Sequence, residues 1–290
     1  MQVAHAAYLN ANWVRDSDPD HVQYAPQPFI MSQAPTQETI GDFYSAVFLH
    51  KVSVVVCLTP LVESGRVKAT RYWPTVKEES VTLSLWKVTL QEEKVMYDGA
   101  IVRRTLRIQR REPVCNALGA CDASENELTF TMFHYMTWCD NASPSSVHTF
   151  VELINLVRAI ADLDRSRPVL AHCSAGVGRA GTFVAAYNLI LINEMDSGSV
   201  TLKQMVDWLR HQRFGAVQTL AQYKFISHVV NIFDDISSSA SSSSSDSLST
   251  STFSDAETLS SSADSDLVLN EELLLRTCQY GCLISSVRVQ

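Results

Sequence analysis

Apolar residues recur along the chain with two different periods. VSVVVCL (52–58), VTLSLWKVTL (81–90), AIVRRTLRIQ (100–109) and LTFTMFHYM (128–136) are rich in β-branched and aromatic residues and alternate in several places, which predicts strands. FVELINLVRAIADLD (150–164), AGTFVAAYNLILINEM (180–195), TLKQMVDWLRHQR (201–213) and TLAQYKFISHVVNIF (219–233) place apolar residues at helical intervals, over lengths that suit helices. With strands first and helices gathered mostly after them, an α/β (α+β) architecture is expected, a central sheet with helices packed on it. No internal repeat stands out.

The pattern stops after residue 235. Residues 236–266 run through SSSASSSSSDSLSTSTFSDAETLSSSADSD, with almost no apolar residues to offset the entropy of ordering, so disorder is expected there. Residues 267–290 regain apolar residues, and LNEELLLRT suits a short amphipathic helix. The expected organisation is thus one folded domain over 1–235, a serine-rich acidic segment over 236–266 and a tail over 267–290.

Composition narrows the class. At 290 residues, 46% of them hydrophobic, the chain can bury a sizeable core. It contains no run of eighteen apolar residues, and MQVAHAAYLNANW has neither a basic nor an apolar leader, so no membrane span, no signal peptide and a cytoplasmic location are expected. Of the net charge of -8, residues 234–266 carry seven negative charges with no Lys or Arg, which leaves a near-neutral body with no footprint for nucleic acid. Seven cysteines (57, 115, 121, 139, 173, 278 and 282) are odd in number and irregular in spacing, which fits free thiols in a reducing compartment. The pairs 115/121 and 278/282 lack close partner His or Cys pairs, so no metal site is expected.

The most informative segment is RPVLAHCSAGVGRAGTF (167–183), where a short apolar strand runs into a loop of small residues and then a helix. Successive backbone N–H groups converging ahead of a helix N-terminus form a fixed positive potential that suits a phosphoryl group. Gly176 and Gly178 tolerate the backbone angles and close approach that such a loop needs. Cys173 at its entrance meets those amide dipoles and Arg179, which both favour thiolate over thiol, the form that acts as nucleophile. Arg179, six positions on, can return across the loop and present a planar fork to two phosphate oxygens. His172 is expected to hold the thiolate environment through its ring, while Ser174, Ala175, Gly176, Val177 and Gly178 supply the binding amides.

A lone C-x(5)-R is common by chance, but HCSAGVGR between a strand and a helix resembles the signature of the protein tyrosine phosphatase family. AAYLNAN (6–12), FIMSQAPTQETIGDFYSAVF (29–48), LVESGRVKATRYWP (61–74), TWCDNASP (137–144) and AVQTLAQYKF (216–225) match further segments in the family's order, over about residues 6–234. RYWP, QAPTQETIGDF and QTLAQY look like its tyrosine-specific, non-receptor branch. The resemblance implies a phosphatase fold, a twisted mixed sheet flanked by helices with a strand-loop-helix phosphate loop. It implies hydrolysis of phosphotyrosine in proteins, by a monomer without metal or organic cofactor. Cys173 is then the nucleophile, Arg179 the phosphate clamp and Asp140 in the acid loop the general acid and base. Gln218 matches the glutamine that positions water, Gln222 a second active-site glutamine, Glu63 a carboxylate that orients the arginine, and Lys68 a lysine near the acid loop.

The sequence departs from the family pattern in three places. The family's K-N-R-Y loop lies about twenty residues before the segment matched by Tyr8, and with only seven residues ahead of Tyr8 an N-terminally incomplete domain and a shallow pocket are expected. Cys139 replaces the acid loop's proline, and Asn141 follows Asp140 where a ring is frequent. Ala180 follows Arg179 where a Ser or Thr hydroxyl assists departure of the phosphorylated cysteine. A phosphotyrosine-binding relative with little turnover is therefore the alternative reading.

Overall fold

The computed structural model describes residues 9–17, 23–111, 126–195 and 199–242. Its main sheet has eight strands. They are β1 (Ala11–Val14), β2 (Phe29–Gln33), β3 (Val54–Cys57), β6 (Ser80–Leu83), β7 (Trp86–Met96), β8 (Ile101–Arg110), β9 (Glu127–Tyr135) and β10 (Val169–Cys173), in the order β1-β2-β10-β3-β9-β8-β7-β6. The central four, β2, β10, β3 and β9, run parallel, and the outer strands pair antiparallel. A separate hairpin of β4 (Val62–Glu63) and β5 (Arg66–Val67) stands apart from it.

Among the described residues five α-helices pack on the sheet: α1 (Ile40–Leu49), α2 (Val147–Ala161), α3 (Gly178–Met195), α4 (Leu202–Gln212) and α5 (Leu220–Ser242). Alternation along each strand sorts side chains between two cores. Phe29, Met31, Val54, Val56, Val169, Ala171 and Cys173 face the core shared with α2 to α5, while Ile30, Val55 and Leu170 face α1, Tyr72 and Trp73 on the other side. Parallel strands covered on both faces must be apolar on both, which is why the stretch around β3 reads as an unbroken run. Every residue of α3 from Gly178 to Ile192 is buried, and all but Arg179, Thr182 and Asn188 are apolar or glycine, so this helix is held on every side and fixes the loop that precedes it.

The expected architecture is present, with local differences. The strand expected over 81–90 is two strands: Leu83 pairs with Trp86 across a two-residue turn, with Ser84 at a positive φ of 57°. Tight hairpin turns require that conformation, and serine gives no glycine-like or asparagine-like signal of it. Helix α1 was not anticipated, although its buried residues Ile40, Phe43, Tyr44 and Val47 follow helical spacing. Helix α2 begins at Val147, three residues early, because the Ser146 side chain accepts a hydrogen bond from Thr149 N and caps it. Helix α5 continues to Ser242, so the boundary drawn at 235 falls inside a helix. The rest of the serine-rich segment, the tail and Cys115, Cys121, Cys278 and Cys282 lie outside the described residues. Among the described residues no helix is long and apolar enough to cross a membrane.

Candidate active site

Strand β10 delivers Cys173 to the C-terminal edge of the parallel strands, and the chain turns through residues 174–177 into α3. The carbonyls of this loop are all engaged on its outer side. Ser174 O accepts from Ala34 N at 3.0 Å, and Val177 O accepts from Gly181 N at 3.0 Å and Val217 N at 3.2 Å. Ala175 O and Gly176 O accept from the Arg213 guanidinium at 3.1 and 2.5 Å. In a trans peptide the N–H points opposite its C=O, so the amides of residues 175–178 turn inward. Gly176 N–H, for one, donates to Cys173 Sγ at 3.2 Å. Gly176 has φ +72°, and a Cβ there would lie 2.1 Å from Ser32 O, so the loop requires glycine both for its turn and for its close seat on β2.

Arg179 is 1% exposed. Its Nη1 donates to Trp138 O at 2.9 Å and lies 3.5 Å from Glu63 Oε2. Nε and Nη2 make no hydrogen bond within the protein, although Nη2 lies 3.2 Å from Asp140 Oδ1 in an ion pair. One edge of a buried guanidinium thus retains two donors, the geometry that grips two oxygens of one oxyanion.

The acid-loop segment is drawn onto that arginine. Asp140 N donates to Glu63 Oε1 at 2.6 Å, and Lys68 Nζ donates to Asp140 Oδ2 at 2.7 Å. Burial alone pushes the Asp140 carboxyl up, but the Lys68 hydrogen bond, the charges of Arg179 and Lys68 and the Asn141 amide outweigh it, so the net displacement is below the ordinary aspartate value. Trp138, fully buried, donates from Nε1 to Ala142 O at 2.8 Å and closes the turn.

The two glutamines divide their roles. Gln218 is exposed, and its Oε1 lies 2.4 Å from where a Cβ on Gly178 would stand, so its side chain rests over the start of α3. Gln222 is buried: its Oε1 accepts from Gln218 N at 2.9 Å and Thr219 N at 3.3 Å, and its Nε2 donates to Ala142 O at 3.5 Å. It braces the glutamine segment against the acid loop. Val217, just before Gln218, has φ +59°, a strained conformation for a β-branched residue. Two hydrogen bonds from Arg210 to Ala216 O and Val217 O hold it there, at 2.9 and 2.8 Å.

His172 alternates to the opposite face from Cys173. Its Nε2 lies 2.7 Å from the Tyr72 hydroxyl, and its Nδ1 lies 3.5 Å from Cys173 O. Burial, opposed by the contact with Cys173 O, pushes it down to about 3, so the ring is neutral. Its influence on the loop passes through the Cys173 carbonyl, and the ring makes no direct contact with the sulfur side. Ala180 is buried and contributes a methyl group where a hydroxyl was at issue.

The expected residues Cys173, Arg179, Asp140, Glu63, Lys68, Gln218 and Gln222 therefore come together around one loop. Sequence reasoning missed Arg213 and Tyr72, whose partners are distant in sequence, and Arg210, whose partners Ala216 and Val217 are near but are backbone carbonyls that leave no side-chain motif.

The chain is also similar to known proteins. The family model described as protein-tyrosine phosphatase matches residues 1–231. Tyrosine-protein phosphatase 3 of Dictyostelium discoideum is 35% identical over 233 residues, covering 77% of this chain and 22% of its own length. Tyrosine-protein phosphatase 69D of Drosophila melanogaster is 33% identical over 220 residues, covering 76% and 14%. The chain thus spans less than a quarter of either relative. Among solved structures, a Trypanosoma cruzi protein tyrosine phosphatase superimposes with a TM-score of 0.67 at 31% identity, over 79% of this chain and 74% of that one. PTPN18 in complex with HER2 phosphopeptides also gives 0.67, at 27% identity over 79% and 72%. With a family model matched over most of its length, the chain belongs to the protein-tyrosine phosphatase family.

Proposed function

We propose that this chain hydrolyses phosphotyrosine in proteins through a phosphocysteine intermediate. The observation that carries the reading is one loop that holds Cys173 at its entrance, turns its amides inward and runs into Arg179, whose Nε and Nη2 make no hydrogen bond within the protein and whose Nη2 lies 3.2 Å from Asp140. Cys173 Sγ attacks phosphorus, the amides and Arg179 hold the transferring oxygens, and Asp140 protonates the departing tyrosyl oxygen. In the second step Asp140 takes a proton from water aligned by Gln218, the water oxygen bonds to phosphorus as the P–S bond breaks, and phosphate leaves with Cys173 restored as thiolate. Glu63 keeps Arg179 and the acid loop in register through its two oxygens. The loop supplies the electrostatic stabilisation, so no cofactor is assigned. Phosphotyrosine-containing proteins are the proposed partners, by likeness to the phosphopeptide complex of PTPN18. A cytoplasmic monomer and the division into a catalytic domain, a serine-rich segment and a tail from 267, with the first boundary at the end of α5 rather than at 235, belong to the same proposal.

One observation favours the second reading, a binding relative with little turnover. Asp140 is held as a carboxylate by Lys68 and Arg179, while its first task needs a proton. Hydrolysis of a phosphotyrosine peptide in the presence of a chelator separates the two readings. Turnover that is lost in Cys173→Ser and slowed, with peptide still bound, in Asp140→Ala supports catalysis. Peptide binding with no turnover in the parent chain would leave the binding reading.

A further inference from the structure

Arg213 stands just past α4, 5% exposed, and takes no part in the chemistry above. Its Nε donates to Gly176 O at 2.5 Å, and its Nη2 to Ala175 O and Asn10 Oδ1, both at 3.1 Å. Nη1 donates to Asn12 Oδ1, in β1, at 2.6 Å.

We propose that Arg213 is a positioning residue that sets the direction of two phosphate-binding amides, those of Gly176 and Val177, from behind the loop. With Ala175 C=O drawn to Nη2, the N–H of the same peptide, on Gly176, must point the other way, where it meets Cys173 Sγ. With Gly176 C=O drawn to Nε, the N–H of Val177 is turned inward by the same rule. The peptides on either side have backbone anchors, Ala34 N on Ser174 O and two amides on Val177 O. The two middle peptides flank Gly176, the residue with the widest backbone freedom in the loop, and so are the pair most able to flip. Arg213 fixes both with one rigid fork, and its positive charge behind the two carbonyls adds to the potential that receives an anion.

This inference rests on the phosphatase reading, and the experiment keeps the two apart. Using the full chain, kcat and KM for an aryl phosphate and competitive inhibition by inorganic phosphate are measured for the parent, Arg213→Ala, Arg213→Lys and Met205→Ala. Met205 is buried in α4, eight positions before Arg213, and serves as the control for a weakened fold. Misdirected oxyanion donors should lower kcat/KM of Arg213→Ala roughly a hundredfold, the scale of one lost oxyanion-hole donor, with weaker phosphate inhibition. Arg213→Lys keeps the charge but cannot span both carbonyls, so it should fall between parent and alanine. Met205→Ala should melt earlier yet keep phosphate inhibition within about twofold of the parent, since distant sites act independently. Parent-like phosphate inhibition in folded Arg213→Ala overturns the inference. Should that variant fail to fold, the same result in Arg213→Lys overturns it, as does an equal loss in Met205→Ala. A parent chain that neither hydrolyses the aryl phosphate nor binds phosphate would overturn the phosphatase reading, and this one with it.

Discussion

Replacing Gly178 with alanine should separate folding from turnover. Gly178 opens α3, and a Cβ there would stand 2.4 Å from Gln218 Oε1 and 3.1 Å from Gln222 Nε2. Gln218 is exposed and its amide can swing aside, so the fold can absorb the added methyl. The mid-helix advantage of alanine over glycine, about 0.5–1 kcal/mol, applies only in part at this first residue of α3, so stability should hold. Gln218, however, loses its seat over the loop. If it aligns the hydrolytic water, the loss is that of one ordinary hydrogen bond, about 0.5–1.5 kcal/mol, or roughly two- to thirteenfold in rate. The effect should fall on hydrolysis of the phosphocysteine and spare its formation. Rapid mixing with an aryl phosphate resolves the two steps: the initial phenol burst should keep its rate while the steady state drops by that factor. A folded Gly178→Ala with an unchanged steady state would remove Gln218 from the second step. Gly176→Ala is the contrast. There φ is +72° and the Cβ would meet Ser32 O at 2.1 Å, backbone that cannot swing away. Left-handed strain of about 1–2 kcal/mol and overpacking of about 1–3 kcal/mol should destabilise the fold and impair both steps. Equal denaturation midpoints for the two variants would contradict this picture of the loop.

Ala180→Ser should raise the steady-state rate and shrink the burst, by roughly two- to thirteenfold, because Gly176 N–H already donates to the sulfur at 3.2 Å and the new hydroxyl adds a second donor worth about 0.5–1.5 kcal/mol. A linear time course that is the same in both would show that the leaving sulfur needs no further donor. Lys68→Met removes the strongest opposition to the burial that pushes Asp140 up, so the Asp140 value should rise and the basic limb of the kcat profile should move to higher pH. In the parent chain the lowered Asp140 value contributes stability above its ordinary value of 3.8 that is lost as pH falls through the folded-state value, and acid titration of Lys68→Met should show less of that loss. An unmoved basic limb would mean that another group delivers the proton.

What could be read from the sequence follows from how local each signal is. The segment 167–183 carries strand, turn and helix within seventeen residues, and the structure has β10, the loop and α3 in those places. Asp140, Glu63, Gln218 and Gln222 could be found only through resemblance, because what joins them to Cys173 is the sheet order and not any spacing. Even so, resemblance did not show that Gln222 braces Ala142 while Gln218 lies over the loop. His172 was expected to act through its ring on the thiolate, and strand alternation turns that ring to the α1 side, against Tyr72. Arg213 reads in sequence as one more basic residue at a helix end. Its role depends on β1 and the loop arriving beside it, and its Asn12 partner is 201 positions away. The turn at Ser84 and the strain at Val217 are tertiary demands that overrule local preference, and neither residue type announces them.

The most direct measurement is to look for phosphate on Cys173. The purified chain is mixed with an aryl phosphate in the presence of a chelator, quenched in acid within the burst phase and analysed by mass spectrometry of the peptide that contains Cys173. A phosphocysteine mechanism requires phosphate on that peptide during turnover, its disappearance once substrate is exhausted and its absence from Cys173→Ser. Steady hydrolysis with no phosphate on Cys173, or hydrolysis that survives in Cys173→Ser, would contradict it.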